Sequence, residues 1–263
     1  MERVIVGGCS FTNDTFRSHL ESHDASLYKK WPDYIPNSII TNVAEDGIGN
    51  VRIIDKVLTA VFNADKVDRI VIALTDWWRF ELPHITINAA WAEYYNTLNE
   101  GGKAGVMDST PWVKYHVDYC REFDWGMCNP GVQDAAINNT LLAIMKLHEI
   151  CKSRGIKLDI FQMLKTDFGD AKNTKDEYID HEFSKELMNH DWFDILWEAH
   201  GKDGLNLIGW PWHTNIGGFV AEEILGWGPD SLRICSDTID EDLHPSEAGH
   251  KALGEWYNEK AKA

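Results

Sequence analysis

The chain has 263 residues, 44% of them hydrophobic and 25% charged, the balance of a folded globular protein rather than a disordered one. Its 42 acidic residues outnumber 25 basic ones for a formal charge of −17, and a surface of that sign with no basic stripe repels phosphate backbones, so neither nucleic acid nor an anionic membrane is an expected partner. No apolar run approaches the roughly 20 residues that span a bilayer, and the first residues enter a strand without a basic, apolar and small-residue leader pattern, so cytoplasmic synthesis is expected.

Residues 3–6, Arg-Val-Ile-Val, read as a short buried strand, and Gly7-Gly8-Cys9-Ser10-Phe11-Thr12 follows as a tight small-residue loop leading into a helix over 11–20. Ser10 is thereby delivered to the carboxyl edge of a strand, where open α/β sheets form their crevices; the same residues would also serve as a plain turn. The prolines within 31–36 break regular structure. Residues 38–43 have the β-branched content of a second strand. Ala44-Glu45-Asp46-Gly47-Ile48-Gly49-Asn50 then leads into a helix whose Val51, Ile54, Leu58, Val61 and Phe62 share one face, with Asn50 as its N-cap.

The near-continuous apolar run over 67–74 suits a central parallel strand, and it ends in Thr75-Asp76-Trp77-Trp78-Arg79-Phe80-Glu81. A guanidinium at that edge can grip a carboxylate or a sugar substituent, so Arg79 is a candidate substrate contact, joined by Asn50 and Trp78; an ion pair from Arg79 to Glu81 or Asp76 is the structural alternative. Residues 82–133 break the strand-helix rhythm. They hold Trp91, Tyr94, Tyr95, Trp112, Tyr115, Tyr119 and Trp125, and read as an insertion of helix plus loops over the site. Those rings either stack on sugar faces or pack in the interior.

Regularity returns at 136–152, where Ile137, Leu141, Ile144, Met145, Leu147 and Cys151 recur at helical spacing before Gly155 stops the helix. A fourth strand over 156–163 completes a βαβ unit with an expected right-handed crossover. Residues 166–180 read as an acidic loop, 183–200 as a helix, 205–209 as a short edge strand or loop, 217–225 as helical and 226–230 as a turn. Asp240-Glu241-Asp242-Leu243-His244-Pro245 then sets acids two, three and four residues before a histidine that precedes the last helix. Cys9, Cys120, Cys128, Cys151 and Cys235 are odd in number and irregularly spaced, and His181, His190, His200 and His213 are scattered, so neither disulfides nor a metal site is expected. No linker divides the chain, which reads as one domain over 1–263.

The first and last of these blocks resemble those of the SGNH/GDSL hydrolases, a Gly-Asp-Ser after the first strand and a terminal Asp-x-x-His-Pro. The version Gly8-Cys9-Ser10-Phe11-Thr12 is similar to a divergent branch met in tailed phages and bacterial surface-polysaccharide gene clusters. The resemblance spans the chain but is carried by short motifs. It implies a three-layer α/β/α flavodoxin-like sandwich with a central, mainly parallel sheet, and a serine nucleophile at Ser10. A serine hydroxyl needs a base to take its proton, and the base needs an acid to hold it. His244 fills the first role; Glu241 matches the family spacing for the second and Asp242 the usual residue type.

The resemblance also implies oxyanion donors at the N–H groups of Ser10 and Gly47, since a backbone donor approaches an oxyanion closely where no side chain intervenes; Gly47 and Gly49 equally suit a positive-φ turn. The family's third donor is the asparagine of Gly-x-Asn-Asp. Trp77 stands roughly in that position, with an indole N–H of different reach. His250, in the helix that Pro245 begins, reads as packing, and the Cys9 side chain is expected to point away from Ser10.

The activity implied is acyl transfer to water, removing an O-acetyl group from a carbohydrate or another small ester with no metal or organic cofactor; the same scaffold also serves lipases and thioesterases. The second expectation is a catalytically degenerate glycan-binding or phage-particle module. A homo-oligomer, a particle partner and a virion location stay open. Nucleotide binding is the weakest reading, because Gly7-Gly8-Cys9-Ser10 lacks the glycine spacing that cradles phosphates.

Overall fold

A computed structural model describes residues 1–16, 28–75, 77, 79–82, 85–88, 130–164, 187, 189–208, 224 and 244–261. Strands β1 (Glu2–Gly7), β2 (Ser38–Asn42), β3 (Arg69–Leu74), β6 (Lys157–Gln162) and β7 (Leu205–Leu207) form one sheet in the order β2-β1-β3-β6-β7, parallel throughout, while β4 (Arg79–Leu82) and β5 (Ile85–Asn88) form a separate antiparallel pair. The helices are α1 (Asn50–Asn63), α2 (Pro130–Arg154), α3 (Asp191–Ala199) and α4 (Glu247–Lys260).

Strands buried on both faces need apolar residues at successive positions, and these strands have them. Ile5, Ile70, Ile72, Leu158 and Ile160 pack against α1, α2 and α3, whereas Val4, Val6, Val71, Ala73 and Phe161 face Trp31 and α4. The second face is closed by rings: Phe161 meets Trp31 and Trp256 edge-on at 5.5 and 5.3 Å. The result is the three-layer α/β/α sandwich the motifs imply.

Leaving out the β4-β5 pair, the sheet order is 2-1-3-4-5, which changes direction between β1 and β3; that switch point is where such folds open a crevice beyond the carboxyl ends of the strands. The amino edge is closed by a polar knot. Arg69 Nε donates to Glu2 at 3.1 Å and its Nη1 to Asp159 at 3.3 Å, and the Tyr257 hydroxyl donates to the same Asp159 oxygen at 2.6 Å. Burial pushes the Asp159 carboxyl up, against the opposing pull of Tyr257 and Arg69.

Several expectations are corrected. Residues 11–16 form turns, not a helix, because the Asn13 side chain takes the Thr15 N–H and so competes with a helical ladder. The cap of α1 is Gly49, and Asn50 is its first residue. Arg79–Leu82 and Ile85–Asn88 pair as strands, with Phe80 opposite Ile87 and Leu82 opposite Ile85, where a loop and the start of an insertion of helix plus loops are expected. Helix α2 starts at Pro130 rather than 136, with proline at a position where its missing N–H is harmless.

The stretch 31–36 holds a 3-10 turn over Trp31–Tyr34, and 205–209 supplies the edge strand β7. Helix α3 begins at Asp191, capped by His190, whose Nδ1 accepts from the Trp192 N–H. Ser246, rather than Pro245, opens the last helix, its Oγ accepting from Gly249 N at 3.1 Å. Most of the 82–133 insertion, the 166–180 loop and nearly all of 217–230 lie outside the described residues. Among the described residues no helix is long and apolar enough to cross a membrane.

Candidate active site

The Ser10 loop is folded back on itself. A Cβ on Gly8 would lie 2.3 Å from Thr12 Oγ1, so only glycine fits there. Thr12 is fixed in turn by Trp31 Nε1, which donates to its hydroxyl at 3.2 Å. In this loop Cys9 is completely buried among Val4, Val6 and Trp31, whereas Ser10 is half-buried. The thiol therefore lies in the core, away from the crevice.

His244 reaches this loop from the far end of the chain. Its Nε2 stands 2.9 Å from Ser10 Oγ. With the ring proton on Nδ1, Nε2 is the acceptor of the serine proton. The imidazole is held by its faces: Phe16 stacks on it at 4.0 Å between centroids with planes 26° apart, and Phe11 lies tilted at 5.2 Å. His250 is buried elsewhere, its Nδ1 accepting from Trp31 N at 3.3 Å. Glu241 and Asp242 lie outside the described residues.

The loop between β2 and α1 runs alongside. Glu45 N donates to Gly8 O at 3.2 Å and Asn42 Nδ2 to Thr12 O at 2.7 Å, so the two loops are joined. Gly47 has φ 69°, in the left-handed region that a side chain disfavours, and a Cβ there would meet nothing within 4 Å. Gly49 has φ −90° and carries no such requirement.

Two other candidates have different work. Trp77 is buried, and its indole N–H donates to Gln162 Oε1 at 2.8 Å, while Gln162 Nε2 donates to the carbonyls of Thr75 and Leu164. The donor that stood in for the family asparagine is thus engaged behind the edge. Asn50, buried, accepts from Thr75 N at 2.8 Å and donates to Thr75 O at 3.2 Å, so both ends of its carboxamide are engaged by the backbone. Arg79 opens β4, and Trp78 lies outside the described residues. Sequence reading missed Phe16 and Asn13; only Asn13 carried a signal, as a turn-forming residue three after the serine. Among the described residues no group of His, Cys, Asp and Glu is arranged to hold a metal ion.

A serine and a histidine paired at the switch point of a parallel sheet define a class of site, in which a hydroxyl can be deprotonated by the imidazole beside it. Solved structures similar to the chain include a member of the lipolytic protein G-D-S-L family from Veillonella parvula DSM 2008, at 12% identity over 98% of this chain and 97% of that one with a TM-score of 0.46. TesA is similar at 13% identity over 99% and 98% of the two chains with a TM-score of 0.47. The psychrotrophic esterase EstA from Pseudoalteromonas sp. is similar at 11% identity over 100% and 97%, also with a TM-score of 0.47. No family model and no curated protein matches the chain.

Proposed function

We propose that the chain is a serine ester hydrolase of the SGNH kind. The observation that carries this is the 2.9 Å approach of His244 Nε2 to Ser10 Oγ, two residues 234 positions apart that meet at the carboxyl edge of the sheet. In this reading Ser10 Oγ attacks an ester carbonyl as His244 takes its proton. The N–H groups of Ser10 and Gly47 receive the oxyanion, and His244 returns the proton to the departing alcohol. Water then repeats the sequence on the acyl-enzyme. Glu241 or Asp242 holds Nδ1 of the imidazole. The substrate proposed is an O-acetylated carbohydrate, with Arg79 and Trp78 at its sugar.

The test is labelling with a fluorophosphonate probe. Wild type should label, and Ser10→Ala and His244→Ala should not, since loss of either partner removes the activated hydroxyl. Release of acetate from acetylated glycans by the wild type then addresses the substrate. The engagement of Trp77 by Gln162 favours one second reading, a catalytically degenerate glycan-binding or particle module, because it leaves two backbone donors where the family has three. A folded wild type that stays unlabelled yet binds a glycan would support that module instead.

A further inference from the structure

We infer that Asn13 is a positioning residue that locks the Ser10 loop to the Asp46-Gly47 turn, holding nucleophile and oxyanion donor in one register; this rests on the esterase reading above. Asn13 is almost wholly buried at 6% exposure, and both ends of its carboxamide are used. Nδ2 donates across to Asp46 Oδ1 at 2.9 Å, and Oδ1 accepts from both the N–H and the hydroxyl of Thr15 at 3.0 Å. Its own backbone N–H donates to Cys9 O at 3.0 Å. One residue thus bonds to the position before the serine and to the position before Gly47.

Two further bonds between these loops, Glu45 N to Gly8 O and Asn42 Nδ2 to Thr12 O, hold them nearer the strand ends. At Gly47 itself, a Cβ would meet nothing within 4 Å among the described residues, so none of their side chains packs on that side of the turn. The position of the donor N–H therefore depends on what grips Asp46. An alignment error of about 1 Å at such a site lowers rate on the order of a hundredfold.

The chemistry also specifies the test. Asn13 must offer a donor to one neighbour and an acceptor to the other. Asn13→Ala removes both, and Asn13→Asp sets a second carboxylate against Asp46. The swap Asn13→Asp with Asp46→Asn restores a donor facing an acceptor, with its direction reversed. Fluorophosphonate labelling rates and kcat and KM on p-nitrophenyl acetate are measured for the wild type and these three variants, with the amide resonances of Ser10 and Gly47 followed by NMR. Both single variants should lose about 10- to 100-fold in labelling rate and kcat, with KM within about twofold of wild type. The Gly47 resonance should move or broaden in Asn13→Ala, and the swap should recover most of the rate lost in Asn13→Asp.

A folded Asn13→Ala with wild-type labelling and an unmoved Gly47 resonance overturns the inference, as does a swap no better than Asn13→Asp. A change confined to KM makes Asn13 a binding residue and overturns it too. A wild type that neither labels nor hydrolyses removes the esterase reading, and the Gly47 resonance in Asn13→Ala then still decides whether the clamp exists.

Discussion

Phe16 lies face to face with His244, ring centroids 4.0 Å apart and planes 26° apart. A flat ring on a flat ring fixes the plane of the imidazole, and so the direction in which Nε2 points at Ser10. An aromatic pair of this kind contributes about 0.5–1.5 kcal/mol beyond its burial, which as a rate is up to roughly tenfold. Phe16→Ala should therefore slow fluorophosphonate labelling by about that factor, and Phe16→Leu, which keeps bulk but not the flat face, by less; equal rates in all three proteins would show that the stack does not orient the base. The Ser10–His244 contact is legible as two short motifs because the proposed chemistry requires those residue types. Phe16 is not, because nothing local marks a phenylalanine that will meet a ring near the other end of the chain. Trp77 fails in the opposite way. Its donor is visible in the sequence, but the acceptor that takes it, Gln162, lies 85 positions further on.

Among the elements, α1 and β3 are joined by Asn50. Where β3 ends, Thr75 passes out of the ladder, and the Asn50 carboxamide takes both its N–H and its C=O as a neighbouring strand would. Asn50→Ala leaves a buried backbone donor without its partner, and should lower stability by about 1–3 kcal/mol in urea unfolding. KM for a small ester should stay unchanged; a raised KM at unaltered stability would instead return Asn50 to the substrate. The strands of the main sheet are readable from the sequence as apolar runs, but which strand lies beside which depends on pairings between distant segments. The β4-β5 pair was also present in the pattern, with Phe80, Leu82, Ile85 and Ile87 at strand spacing, interrupted at Pro83. Reading residues 82–133 as one insertion hides the pair. Residues 11–16 mislead by their place after a strand and a glycine loop, where a helix commonly follows; their composition, with Asn13, Asp14 and two threonines, favours the turns that form, and the Asn13 side chain takes the Thr15 N–H.

For the molecule as a whole, the buried His148 and the half-buried His200 set an acid limit. Burial lowers the affinity of His148 for a proton, and its Nε2 has no hydrogen-bond partner among the described residues. Burial does the same to His200, whose Nδ1 must stay unprotonated to accept from Leu207 N at 3.1 Å. In the unfolded chain both titrate near 6.5. As pH falls below about 6.5 the unfolded chain binds protons that the folded one refuses, so stability is lost toward acid and kept above that value. The urea midpoint should drop between pH 7.5 and 5.5, and His200→Asn, which keeps an acceptor for Leu207 but cannot titrate, should reduce the drop; an identical drop in the variant would remove His200 from the account. During synthesis, β1 and its serine leave the ribosome roughly 10–50 seconds before His244, at about 5–20 residues per second. Until then the nascent chain carries a hydroxyl with no base, and Trp31 and Phe161 have no α4 to cover them. A copy without its last helix therefore has Ser10 without His244 and leaves that apolar face uncovered, so that on the esterase proposal the onset of probe labelling and the covering of that face report the same event, completion of the last helix.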